Sequence, residues 1–330
     1  MATTTKKTTA KSKSKSAKKP APKKSNKKSS SAAKSNKSTS KKVTTVKAAD
    51  TKTNKATTTK TTTIKSIKKE DSTTKKLRNL HVWNLSLAGI HALFGIIVLV
   101  LSVTALFPVT TTYLTADVLA SSEGAPVLVS AVRNLFDVNL AYLIAAFFFM
   151  SSIAHFYVST VYRKKYEADL LKGINRVRWY EYGISASTMM LAIAMLSGVS
   201  DISTLIMIFG ATLVMNLCGL IMEVHNQTTQ KTNWLSYVVG TIAGLGPWVV
   251  VGIYIWGANQ YGQEGIPGFV YAIYASLFVF FSSFAVNMIL QYKKTGKWND
   301  YLFGEKAYML LSLFAKTALA WQVFAGVLRP

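Results

Sequence analysis

The chain has 330 residues, half of them hydrophobic, yet carries a formal charge of +25, a pairing that requires the charge to be segregated along the chain. Residues 1–80 hold 25 of the 39 Lys and Arg and only 3 of the 14 acids, so nearly all the basicity lies in the first quarter. The one cysteine, Cys218, stands in an apolar run, which excludes a disulfide framework and a thiolate metal cluster.

Runs such as KSKSKSAKKPAPKKSNKKSSS and TTTKTTTIK offer almost no apolar side chains to offset the entropy of ordering a backbone. Residues 1–76 are therefore expected to be a disordered, Lys-rich tail. From about residue 77 the composition inverts into seven apolar runs of about 20 residues or more, the length that crosses a hydrocarbon core about 30 Å thick. Spans are expected near 79–106, 135–162, 175–198, 202–223, 234–257, 267–292 and 303–328, making residues 77–330 an all-α seven-helix membrane bundle. Between the first two spans, the VTTTYLTADVLA run has the β-branched content of a short hairpin. Gly240 and Gly244 have GxxxG spacing, which serves either dimerisation or close packing inside one bundle.

Positive residues favour the cytoplasmic side of short connections. Segment 163–178 carries six Lys or Arg, 224–233 one and 293–306 four, whereas the opposite connections carry Arg133 and Arg329 alone. This predicts a multi-pass cell-membrane protein with a cytoplasmic N-terminus and an extracellular C-terminus. The tail then lies where it meets anionic lipid, with nucleic acid or a cytoplasmic protein as other partners its composition allows.

An ionised side chain at bilayer depth costs several kcal/mol on insertion scales, so each one is a functional candidate. Lys316, in SLFAKTALAW, lies about midway along the seventh span, too deep to reach a headgroup. Glu181, in NRVRWYEYGISAS, is the carboxylate clearly inside a span, whereas Asp137, Asp201, Glu223 and Glu305 fall at predicted helix ends, where water or headgroups solvate them. A Lys–Glu pair serves either to hold two helices together or to do chemistry. Polar company favours chemistry: Ser312 and Ser185 lie one helical turn from Lys316 and Glu181, Ser151 and His155 repeat that spacing in the second span, and His91 sits mid-way along the first. No metal, nucleophile or Gly-rich phosphate motif appears, so enzyme activity is not expected.

At these residues the chain resembles the heliorhodopsins, microbial-rhodopsin relatives of inverted topology. The likeness is carried by LRNLHVWNLSLAGIHALFG, SSIAHFYVSTVY, NRVRWYEYGISASTMMLAIAMLSGVSD, TNWLSYVVGTIAGLGPW and QYKKTGKWNDYLFGEK followed by SLFAKTALAWQVFAG. The resemblance implies a light-sensing protein with a slow photocycle, in which Lys316 binds all-trans retinal as a protonated Schiff base and Glu181 is its counterion. It further implies that Ser185 and Ser312 line the Schiff-base region, that His91, Ser151 and His155 line a polar cavity, and that Tyr182, Met189, Phe281 and Trp248 wall the retinal pocket. A homodimer is implied as well. The chain departs from the family pattern at Phe94, where members often carry glutamine. Proton pumps of related type carry a second carboxylate where Ala192 stands, so signalling is expected ahead of the alternative, light-driven or light-gated proton transport.

Overall fold

A computed structural model describes residues 51–262, 266 and 268–330. The chain divides into two units, Met1–Thr58 and Thr59–Pro330. In the first, the expected tail lies outside the described residues as far as residue 50. From Thr51 the chain is already helical, upstream of the expected boundary at 77.

Among the described residues there are seven long helices: α1 (Thr51–Leu101), α2 (Leu140–Ser159), α4 (Arg176–Leu196), α5 (Ile202–His225), α6 (Leu235–Tyr261), α7 (Gly268–Tyr292) and α8 (Tyr301–Val323), the last extended by a π turn, Phe324–Leu328. A short helix that the sequence reading lacked, α3 (Arg163–Leu171), follows α2. Asn139, Asn175, Asp201 and Asp300 cap α2, α4, α5 and α8, each accepting a backbone N–H from the first turn.

Six of the seven helices are long and apolar enough to cross a membrane; α4 is the exception. Its 21 residues include Arg176, Arg178, Glu181 and three Ser or Thr. It packs on α2, α5 and α6, and 13 of its residues are buried, so it meets protein where its neighbours meet lipid. A helix in that position need not be apolar all round.

The first two expected spans are too long. The chain leaves α1 at Leu101, and residues expected in both spans form an antiparallel hairpin, β1 (Leu106–Ala116) with β2 (Leu128–Asn139), paired from Leu106↔Asn139 to Ala116↔Leu128. The β-branched run Val109–Thr112 supplies strand propensity in β1, and the last five residues of β2, 135–139, had passed for the start of a helix because the run they open is apolar. Backbone bonds tie the hairpin region to the rest: Thr110 donates to the Ser200 carbonyl (2.8 Å), Leu140 to Ala105 (3.0 Å) and Val103 to Leu328 (2.9 Å). Gly240 and Gly244 face Met215 and Cys218 of α5, with no room for a Cβ. Their spacing serves packing within the bundle.

Candidate functional site

Lys316 is 3 % exposed, in the middle of α8. Its Nζ donates to Ser312 Oγ one turn earlier on the same helix (2.9 Å) and lies 3.4 Å from Glu181 Oε1. Burying two charges costs several kcal/mol for each ion, repaid only when they are paired and hydrogen-bonded. Ser151 supplies one such bond, its hydroxyl 2.5 Å from Glu181 Oε1. Tyr182, beside Glu181 in sequence, turns its ring face to the ammonium at 5.4 Å from the centroid and anchors its own hydroxyl on the Tyr308 carbonyl (2.9 Å).

The two histidines meet as the sequence pattern suggested. Their rings stack at 5.5 Å, with 8° between planes. His155 Nδ1 donates to Asn84 Oδ1 (2.8 Å). His91 is fully buried with neither ring nitrogen paired, and Ser185, equally buried, has an unpaired hydroxyl. Phe94, the departure from the family pattern, packs its ring on Phe148 and Trp321.

A cavity of about 50 Å³ opens beside Lys316, lined by Tyr182, Met189, Phe281 and Ser312 among others. A second, of about 130 Å³, lies between α5, α6 and α7, and has Met215, Asn216, Phe281 and Phe284 in common with the first. Trp248 lines only the second, 5.3 Å from Phe281 ring to ring. Three of the four expected wall residues thus border the space next to the lysine, and Trp248 stands one layer farther out.

Two carboxylates depart from expectation. Asp201 and Asp137 do sit at element ends, the first as a helix cap, but Glu223 is 1 % and Glu305 2 % exposed. Neither is solvated by water or headgroups. Both are ion-paired to Arg178, itself buried, which reaches one carboxylate with each terminal nitrogen of its fork and stacks over Tyr308 at 4.0 Å. Position along a helix gave their depth but not their side, and Arg178 had counted among the cytoplasmic positive charges. Asn84 was also missed. An asparagine in an apolar run is a signal of a buried hydrogen bond, but its partners, His155 and Tyr166, lie 71 and 82 residues away. Burial and the neighbouring Glu305 carboxylate hold the Tyr166 phenol well above its usual pKa, so it stays a neutral donor.

A family model described as Heliorhodopsin matches residues 80–328. Among curated proteins no match is found. Among solved structures the chain is similar to the crystal structure of a light-driven proton pump, LR (Mac), from Leptosphaeria maculans, at 15% identity and a TM-score of 0.46, over 78% of this chain and 96% of that one.

Proposed function

The chain belongs to the heliorhodopsin family, retinal-binding membrane proteins that respond to light, and on that premise we propose that it is a light sensor and not a pump, with all-trans retinal held through Lys316 and Glu181 as the counter-charge. The residues present fit the group. Lys316 offers a buried primary amine, Glu181 an adjacent carboxylate, and Ser185 a buried hydroxyl still without a partner. An apolar cavity begins at that amine and shares Met215, Asn216, Phe281 and Phe284 with a second one beyond it. When bound, retinal supplies a light-driven change of double-bond geometry next to a positively charged nitrogen.

The rest falls to the chain's own side chains. Glu181 holds negative charge against the nitrogen of Lys316, at a separation where Coulomb attraction in a low-dielectric site is strong. Ser151 fixes the carboxylate from α2, and Ser312 accepts from the lysine nitrogen. His91 and His155 stand ready to take a proton displaced from that pair. Met189 and Phe281 keep water from the apolar side.

One observation carries the choice of sensor over pump: the buried charged groups lie on one side. Among the described residues the buried acidic and basic side chains, namely His91, Asp169, Arg178, Glu223, Glu305 and Lys316, lie at the lysine or toward the end where α2 finishes and α4 begins. The other half of the bundle, packed with Ala192, Ile193, Val251, Leu319 and Val323, holds among the described residues no buried charged side chain, only neutral groups such as Gln322, which donates to Ser276 (2.9 Å). Illuminated cell suspensions carrying the protein should show no pH change that a protonophore abolishes. A robust signal of that kind overturns the sensor reading in favour of proton transport.

Glu181→Gln removes the counter-charge and leaves shape intact. The visible band should move to longer wavelength, or be lost at neutral pH as the nitrogen gives up its proton; an unchanged spectrum points to another counter-charge. The same reading places the N-terminus in the cytoplasm, because five basic residues remain in 163–178 after the buried Arg178 is set aside. It includes a homodimer, and a basic tail held by anionic lipid, with nucleic acid or a cytoplasmic protein as the other partners.

A further inference from the structure

The triad of Arg178, Glu223 and Glu305 holds one more negative charge than positive, and the sensor reading gives it no task. It is connected to the lysine site in two ways. A cavity of about 30 Å³, room for about one water molecule, is lined by Glu181 and His155 and also by Glu305, Arg178 and Tyr166. Alongside it runs a chain of side chains: His155 Nδ1 donates to Asn84 Oδ1 (2.8 Å), Asn84 Nδ2 to Tyr166 Oη (3.3 Å) and Tyr166 Oη to Glu305 Oε1 (3.1 Å).

The two carboxylates differ in what an added proton would meet. Glu223 Oε2 accepts from the Asn175 backbone N–H (2.9 Å) and the Trp179 indole (2.7 Å), and Oε1 from Arg178 and the Tyr301 hydroxyl. Three of these four donors are nitrogens that have no lone pair to offer in return, and the fourth, the Tyr301 hydroxyl, is reversible but borders, like Glu223 itself, no part of the cavity that Glu305 and Tyr166 line. Glu305 Oε2 accepts from Arg178, and Oε1 from the Asn175 side-chain amide (2.7 Å) and the Tyr166 hydroxyl. A hydroxyl reverses by rotating its hydrogen. A proton on Glu305 Oε1 is therefore accepted by Tyr166, whose own hydrogen turns to the water cavity. The other ionisable groups near Glu305 are Tyr301 and Tyr308 on its own helix and, around that cavity, His155, Glu181 and Tyr182.

We infer that Glu305 is the internal acceptor of the proton that light releases at Lys316, and that its arrival loosens α8 from α4. This rests on the sensor reading above. The proton leaves the lysine nitrogen, passes the Glu181–His155 region and the cavity water, and ends on Glu305 Oε1, about 16 Å along α8 for 11 residues. Only N–H and O–H bonds change, no electron is transferred, and the proton returns when the site resets. Arg178 and Glu223 are left as a neutral pair between α4 and α5, and the pull of Arg178 on α8 falls.

Light-induced infrared difference spectroscopy on the retinal-loaded protein tests this. A carboxylic-acid C=O band should rise as the lysine nitrogen loses its proton. Glu305→Gln should abolish the band and Glu305→Asp should shift its frequency; a band untouched by either substitution overturns the assignment. Glu223→Gln, where it loads retinal, should keep the band, and its loss there overturns the assignment too. Without retinal, Glu305→Gln should melt at a higher temperature than Glu223→Gln, because the new amide meets two fixed N–H donors and one hydroxyl at position 305 against three fixed N–H donors and one hydroxyl at position 223; the opposite order counts against the inference. If the parent protein forms no visible band with retinal, the sensor reading falls and this one with it. If the visible band and light cycle are intact but the carboxyl band survives Glu305→Gln, only the acceptor assignment falls.

Discussion

Lys316→Ala should abolish the visible band that forms when all-trans retinal is added to the expressed protein, a complete loss and not a shift. An alanine side chain has no amine to condense with an aldehyde, and no other amine lies near: the remaining described lysines are in the N-terminal half of α1, in or just after α3, and in the connections after α5 and α7, apart from Lys306, which lies over the Trp83 ring. Lys316→Arg keeps the charge beside Glu181 but should also stay colourless, since a guanidinium does not form the linkage, and this separates a need for the amine from a need for a cation. Folding is checked independently. Lys316→Ala strands Glu181 in a buried site with the Ser151 bond, whereas the double variant Lys316→Ala, Glu181→Gln removes both charges and should melt higher than the single one. A visible band retained by Lys316→Ala would sink the retinal assignment outright.

The second large effect is on stability. Arg178→Leu leaves Glu223 and Glu305 facing each other in a buried site with no cation between them. Breaking a buried pair by removing one partner costs about 3–5 kcal/mol, which in a domain of this size lowers the melting temperature by about 6–20 °C. Removing all three charges together, as Arg178→Met, Glu223→Met and Glu305→Met, should recover most of the loss, since well-packed apolar replacements of buried ion clusters are often neutral or stabilising. Thermal unfolding in detergent measures both. A drop below about 1 kcal/mol for Arg178→Leu would mean that water reaches the carboxylates after all.

The contrast between these two sites explains what the sequence made legible. Lys316 and Glu181 stand out because each is a charge in an apolar run, and Ser312 and Ser151 because helical spacing places them one turn from something polar. Those signals are local. The triad is assembled from helices 45 and 127 residues apart in sequence, and each member, taken singly, has an innocent explanation at a helix end. Depth in the bilayer is written along the chain, but the direction in which a helix faces near its end is decided by its neighbours. The hairpin shows the same limit: Val109–Thr112 announces its first strand, whereas the second, LVSAVRNLFDVN, has the apolar content of a helix start and becomes a strand because β1 is there to pair with it.

Helix α4 has a bearing on how the molecule is made. Taken alone, a segment with Arg178 and Glu181 in its first two turns is a poor candidate for transfer from the insertion machinery into lipid, where each charge near a helix centre adds about 2.5–3.5 kcal/mol. Its ion-pair partners, Glu223, Glu305 and Lys316, are all synthesised later, on α5 and α8. The helix at the heart of the site is thus the one whose residence in the membrane depends most on segments that follow it. Biogenesis must hold α4 near water or near the translocation channel until α8 arrives, which makes the insertion of the last long helix the step that completes both the Lys316–Glu181 pair and the assembly of the bundle.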